Sequence, residues 1–494
     1  MNSYSLYINS IKTYLEMKRQ KLIGILTISL FAVFMLYNCG TKSSDMITLK
    51  TPQRPTGQTD VLELRCDPIP IVRVGFIGIG MRGSGAVKRF TYLDGVQIKA
   101  ICDMEQYNLD RAQKMLTDAN LPKADEYTED ENAWKKLCER DDIDLVYICS
   151  DWKIHTPISV YAMEHGKHVA VEVPAALTID ECWQLVNTAE KTRKHCMMLE
   201  NCVYDFFESA TLNMAQQGLF GEIMHVEGAY IHDLRQLNFN DRLSENASYN
   251  PGQGDDQKLP GLSGYYDHWR LDYNAAHTGN AYPTHGLGPV CQILNIHRGD
   301  KMNYLVSVSS DQQGMTDYAK ERFGEDSPEA KRHYAMGDMN TTLIRTEKGK
   351  TILVQHDVTN PRPYSRIHLI SGTKGFAEKY PMRQIALEPH GHYPLSDNKR
   401  DSLLAAYEFP FVTRIKEQAK KVGGHGGMDF IMDYRLIYCL QNGLPLDQDV
   451  YDAAEWSCLV ELTELSVKNN SATVKIPDFT RGSWNKLQGL KLAE

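Results

Sequence analysis

From about residue 70 onward, short apolar runs rich in β-branched residues alternate with longer stretches of mixed polarity, the pattern of buried strands joined by helices. Ile71–Ile77 is the first such run, followed by Val96–Cys102, Asp144–Cys149, His168–Val173 and Met197–Asn201. The stretch ending at Gly166 predicts a helix, and so does the stretch opening on Thr178, where Glu181 completes a capping box. Beyond Asn201 the rhythm changes. Tyr204–Gln217 predicts a helix and Ile223–Ile231 a strand. Residues 302–310, 340–346, 351–358 and 366–370 predict further strands, several alternating in polarity. Such alternation predicts an antiparallel sheet with one covered face, the other being expected to face a ligand. Helices near 428–441 and 449–468 close the chain.

The N-terminus carries a different pattern. Lys18, Arg19 and Lys21 precede an apolar run from Leu22 to Leu36, shorter than the ~20 residues a spanning helix needs. Leu36-Tyr37-Asn38-Cys39-Gly40 then forms a loose lipobox. The expectation is an export signal over 1–38, with Cys39 the lipidated first residue of an exported, membrane-anchored lipoprotein. An uncleaved membrane anchor is the alternative. Residues 39–70 are polar and proline-containing and are expected to form a tether.

At 494 residues the chain exceeds what one core usually serves, which points to two domains. Its net charge of -9 provides no basic stripe for phosphates, so nucleic acid is excluded as a partner. The eleven cysteines include no CxxC pair and read as small core residues. His390 and His392 have no acidic or cysteine partner at ligand spacing, so no metal is expected; HExxH and GxSxG are absent.

Directly after the first strand stands Gly78-Ile79-Gly80-Met81-Arg82-Gly83, the G-x-G-x-x-G spacing. Gly78 suits the tight turn, Gly80 lets backbone approach a pyrophosphate, and Gly83 lets the following helix pack on the strand. Asp103 ends the second strand, where an acid accepts hydrogen bonds from the adenosine ribose and repels a 2′-phosphate; this favours NAD over NADP. Trp152, His155, Glu172, Val173 and Asn201 stand at later strand ends and are expected near the nicotinamide half, a turn or packing role being the alternative for each. The predicted fold is α/β, with a Rossmann domain over 71–201. An α+β domain over 202–494 follows, built on an open-faced, mainly antiparallel sheet.

These residues resemble the glucose–fructose oxidoreductase and inositol dehydrogenase superfamily, whose usual Glu-Lys-Pro at the fourth strand is here Glu172-Val173-Pro174. With valine in place of the proton-carrying lysine, a plain sugar dehydrogenase loses its base. That departure, with Asp151-Trp152-x-x-His155, Glu200-Asn201-Cys202 and Ala281-Tyr282-Pro283-Thr284-His285-Gly286, resembles glycoside hydrolase family 109. The resemblance implies NAD contacts at Met81, Arg82, Asp103, Trp152, His155, Glu172, Val173 and Asn201. It implies substrate contacts at Tyr230, Arg270, Tyr282, Pro283, Thr284, His285 and Tyr364.

The activity implied is hydrolysis of terminal α-N-acetylgalactosamine on a glycan or glycoside. Sugar C3 is oxidised by NAD, the acidified C2 proton is removed, the C1 substituent leaves, water adds, and C3 is reduced again. His285 is the first candidate for proton transfer, with Tyr282 and Tyr230 in support; a capped helix-start histidine is the alternative. Arg270 could bind the sugar or pair with Asp267. Tyr364 is expected on a turn at the sheet edge. The segment from about Asp233 to Tyr265 could reshape substrate access, and Gly423–Gly427 reads as a hinge or a closing loop. Two rivals are kept: a sugar dehydrogenase, and a lipid-anchored sugar-binding protein without catalysis. The broad sheet face leaves homo-oligomerisation open.

Overall fold

The computed structural model describes residues 12–21, 46–240 and 264–492. Cys39 and the whole apolar run from Leu22 to Leu36 lie outside the described residues. Residues 12–21 are helical, and no described helix is long and apolar enough to cross a membrane. The chain from Ile47 on forms a separate compact unit.

That unit contains two sheets. The first joins β1 (Val72–Ile77), β2 (Val96–Cys102), β3 (Asp125–Tyr127), β4 (Leu145–Ile148), β5 (His168–Val171) and β6 (Cys196–Met198) in the order β3-β2-β1-β4-β5-β6. Every pairing is parallel. Parallel strands are covered by helices on both faces, which is why the central runs Leu145–Ile148 and His168–Val171 are buried at every position. The order reverses between β1 and β4, and a crevice opens outside the carboxyl ends of the strands at such a switch point. The predicted capping box forms: Thr178 Oγ1 accepts from the Glu181 amide at 3.2 Å, and Glu181 accepts from the Thr178 amide at 3.1 Å. β3, short and half exposed, carries no apolar run and escaped the sequence reading.

The second sheet contains β7 (Ile223–Ile231), β8 (Met302–Ser309), β9 (Asn340–Thr346), β10 (Thr351–Asp357), β11 (Leu369–Gly372), β12 (Gly375–Glu378), β13 (Gln384–Leu387) and β14 (Val474–Lys475). It is antiparallel except at β7–β10. Alternate residues Thr342, Ile344, Ile352 and Val354 are buried under the helices Thr284–Ile293 and Leu459–Lys468. Tyr230 lies opposite His356 on this same covered face. The covered face and the face turned toward the ligand crevice are therefore one, which corrects the expectation that they are opposite. The other face is solvent-exposed, with Val308 at 55% and Leu343 at 51%.

Residues 47–70 do not behave as a free tether. Ile47 bridges to Val474, Arg54 pairs with buried Glu190 at 2.9 Å, the buried Val61 donates its amide to Tyr451 at 3.0 Å, and the Ile69 amide bonds to Leu440. Single anchors spread through a polar stretch leave no period to read. The closing helices Met428–Asn442 and Val450–Ser457 pack on the first sheet rather than the second. Asp433 accepts from Tyr147 at 2.8 Å and from Arg89 at 2.6 Å.

Candidate active site

A cavity of about 450 Å³ runs from the glycine loop and Asp103 to Tyr230, Tyr282 and His285. Its first half tests whether a dinucleotide fits. Gly78 has φ +82°, and a Cβ there would stand 2.7 Å from the Cys149 carbonyl carbon. A Cβ on Gly83 would collide with the Gly78 carbonyl oxygen. A Cβ on Gly80 would meet nothing, because that residue borders the cavity. Gly80 also caps the helix Met81–Phe90 without a side-chain cap, leaving backbone N–H groups for a pyrophosphate. The three glycines thus divide turn, approach and packing between them, and the cradle fits the pyrophosphate.

Asp103 lines the cavity and also ties the loop down. Its carboxylate accepts from the Ile79 amide at 2.6 Å, the Glu105 amide at 2.9 Å and Asn108 Nδ2 at 3.0 Å. Arg82 Nη2 lies 2.9 Å from Glu172 and Nη1 lies 3.2 Å from Asp429. The guanidinium braces the cofactor loop against β5 and the helix Met428–Asn442. Against burial, which would raise it, His425, Arg82 and Arg89 hold the Asp429 carboxyl well below the usual range. His425 is the centre of the Gly423–Gly427 run and lines the cavity, with Nδ1 2.9 Å from Asp429. The run is therefore part of the cavity wall.

His155, expected near the nicotinamide, faces two carbonyl oxygens, Pro174 at 2.8 Å and Ser150 at 3.0 Å. Trp152 Nε1 donates to the Val173 carbonyl at 3.1 Å. Val173 itself is buried and presents only methyl groups to the cavity.

At the far end the second sheet contributes an aromatic box. Arg270 lies 4.7 Å from the Trp152 ring centroid, 4.8 Å from Tyr282 and 5.0 Å from Tyr265, and donates to the Tyr265 hydroxyl at 2.8 Å. This is the observed setting of Arg270, in place of the considered pair with Asp267. The Tyr230 ring stands 4.5 Å from Tyr282 and 5.3 Å from His285. Burial pushes the Tyr282 and Tyr230 hydroxyls well up, Arg270 opposing it in both cases, so both phenols stay protonated. His285 Nδ1 lies 2.8 Å from both oxygens of Glu200. Those contacts engage two members of the Glu200–Cys202–His285 group, whose spacing would otherwise suit a metal ion.

Several expected contacts are set back from the cavity. Asn201 Nδ2 donates to Asp429. Pro283 and Thr284 are buried at the start of the helix that carries His285. Tyr364 packs its ring 5.1 Å from His232, which stands 4.7 Å from Tyr230. It is thus behind the wall rather than at a sheet-edge turn facing substrate. Conversely, Tyr265, Trp269, His425 and Asp429 line the cavity and were not assigned from sequence. No period in the sequence ties these four to the site.

Comparison with known proteins agrees with this geometry. Residues 72–200 match the oxidoreductase family with an NAD-binding Rossmann fold, and 204–486 match the glycosyl hydrolase 109 C-terminal domain. The chain belongs to glycosyl hydrolase family 109. It is a glycoside hydrolase that binds NAD. An alpha-N-acetylgalactosaminidase of Bacteroides fragilis is 57% identical over 438 residues, covering 89% of this chain and 98% of the relative. Glycosyl hydrolase family 109 protein 1 of Bacteroides thetaiotaomicron is 53% identical, over 90% and 93% of the two chains. Among solved structures, levoglucosan dehydrogenase with NADH and L-sorbose superposes with a TM-score of 0.57 at 16% identity, covering 83% of this chain and 100% of that one. Myo-inositol dehydrogenase from Lactobacillus casei gives 0.53 at 17% identity, covering 83% and 99%. The chain thus shares the fold of these dehydrogenases.

Proposed function

We propose that this family 109 enzyme hydrolyses terminal α-N-acetylgalactosaminides through transient oxidation of the sugar at C3. The observation that carries the reading is the exchange of base. Val173 leaves the usual lysine position without a proton carrier, while His285 stands at the cavity wall beside Tyr230 and Tyr282. The name of the Bacteroides fragilis relative supports the sugar.

When bound, the dinucleotide would supply reversible oxidation at C3, which would make the C2 proton acidic. The glycine loop and Asp103 hold the dinucleotide, and the Arg82 brace keeps that loop against the rest of the cavity wall. Arg270, stacked in its aromatic box, offers N–H groups to a sugar hydroxyl or the acetamido carbonyl. Tyr230 and Tyr282 donate hydrogen bonds at the oxidised centre. His285 Nε2 takes the C2 proton and returns it when water has added at C1. An aryl α-N-acetylgalactosaminide hydrolysed in deuterated water should release sugar carrying deuterium at C2, with no net NADH. Hydrolysis without exchange, or equal cleavage of a substrate lacking the C3 hydroxyl, refutes the route.

We also propose that the chain is an exported lipoprotein anchored through Cys39, on the strength of its basic segment, apolar run and lipobox. Cys39→Ser should abolish incorporation of labelled fatty acid and release the enzyme from membranes. Self-association is supported by the exposed sheet face bearing Val308 and Leu343; sedimentation of the purified protein tests it.

A further inference from the structure

Three histidines line the cavity, and their partners differ. His155 has a carbonyl oxygen at each ring nitrogen. His425 Nδ1 faces the Arg82 guanidinium at 3.3 Å as well as Asp429, so a cation opposes any positive charge it gains. His285 pairs with a carboxylate at Nδ1 without a guanidinium at that nitrogen, and its Nε2 has no hydrogen-bond partner among the described residues.

That carboxylate is fully buried. Glu200 follows β6, and its Oε1 accepts from the Cys202 amide at 3.0 Å. Room for it is made by Gly288, where a Cβ would stand 2.8 Å from Glu200 Cγ. Gly288 lies one turn beyond His285 on the same helix, so the helix that presents the imidazole also admits its partner. Among the described residues Glu200 has no lysine or arginine partner; its only ion pair is with His285. A buried carboxylate costs several kcal/mol unless a positive charge stands beside it. Against burial, His285 and the Cys202 amide hold Glu200 below the usual carboxylate range.

We infer that Glu200 is the positioning residue of the proton-transfer step: it keeps the proton of His285 on Nδ1, turns the Nε2 lone pair toward sugar C2, and balances the charge that His285 acquires. The inference rests on His285 as the C2 base. In that step Nε2 takes the C2 proton. The C2–H electron pair becomes the C1–C2 double bond, and the C1–O pair leaves with the aglycone oxygen, which is protonated from solvent. Glu200 exchanges no proton.

Glu200→Gln keeps the volume and an acceptor for Nδ1–H but removes the charge. The expected protein retains its dinucleotide and leaves KM within about threefold. Its kcat and C2 deuterium exchange fall by 10²-fold or more, on the order expected for loss of general-base assistance. Reversible oxidation at C3, read as a burst of NADH absorbance, persists. Glu200→Asp restores part of the exchange, and the Glu200→Gln/His285→Gln pair is no slower than His285→Gln alone. Wild-type exchange in Glu200→Gln while His285→Gln is inactive, or a raised KM with kcat unchanged, overturns the inference and leaves the base in place. Wild-type exchange in His285→Gln overturns the base itself. If Glu200→Gln does not fold, nitrogen-15 shifts of histidine in the wild-type protein decide: a proton on Nδ1 of His285 supports the role and one on Nε2 alone excludes it.

Discussion

Gly228 and Gly286 lie backbone against backbone: a Cβ on Gly228 would collide with the Gly286 carbonyl, and one on Gly286 would collide with the Ala229 amide nitrogen. This contact seats the helix Thr284–Ile293 on β7 and brings His285 beside Tyr230. Gly286→Ala forces the two elements apart. Overpacking of this kind costs about 1–3 kcal/mol, and a displacement near 1 Å costs on the order of 10²-fold in rate. A lowered urea midpoint with a large loss of kcat is expected. Unchanged values for both would mean that the contact does not set the site.

Asp103 ties down the glycine loop at the cavity wall. Asp103→Ala removes three hydrogen bonds, each worth about 1 kcal/mol. The purified variant should lose retained dinucleotide, which a native mass spectrum reads directly. Retention equal to wild type would separate Asp103 from cofactor holding.

Arg270→Lys keeps the charge and loses the planar stack on Trp152, Tyr265 and Tyr282. Buried cation–π contacts are worth about 2 kcal/mol, so KM should rise on the order of tenfold or more. Steady-state kinetics with the aryl glycoside would contradict this if KM stayed constant.

His297, outside the cavity, gives a pH signature of stability. Burial and Arg298 act to lower it, but Asp449, Asp452 and Glu455 outweigh them and raise it from 6.5 to about 10. A histidine raised on folding contributes stability that is complete below its unfolded value and is lost as pH climbs through the folded one. His297→Gln should therefore melt well below wild type at pH 6, and the gap should narrow as pH rises toward 10. A gap independent of pH, measured by calorimetry, would assign His297 to packing alone.

Local signals were legible because local physics writes them. The central strands Leu145–Ile148 and His168–Val171 are buried at every position, so their runs are almost wholly apolar. The glycine spacing reflects one loop, and Thr178 with Glu181 reflects one helix start. The docking of residues 47–70 was illegible, since Val61 and Arg54 are held by partners 390 and 136 residues away.

By itself the sequence determined the dinucleotide cradle and, through several short motifs, the family, because each motif depends on residues close together in the chain. The tertiary structure alone decided that His285 meets Glu200, that Arg270 sits among three rings, and that Tyr364 stands behind His232. Those neighbours come from different elements. Which side chains converge is set by how helices seat on sheets, and that depends on the summed fit of the core rather than on any short pattern.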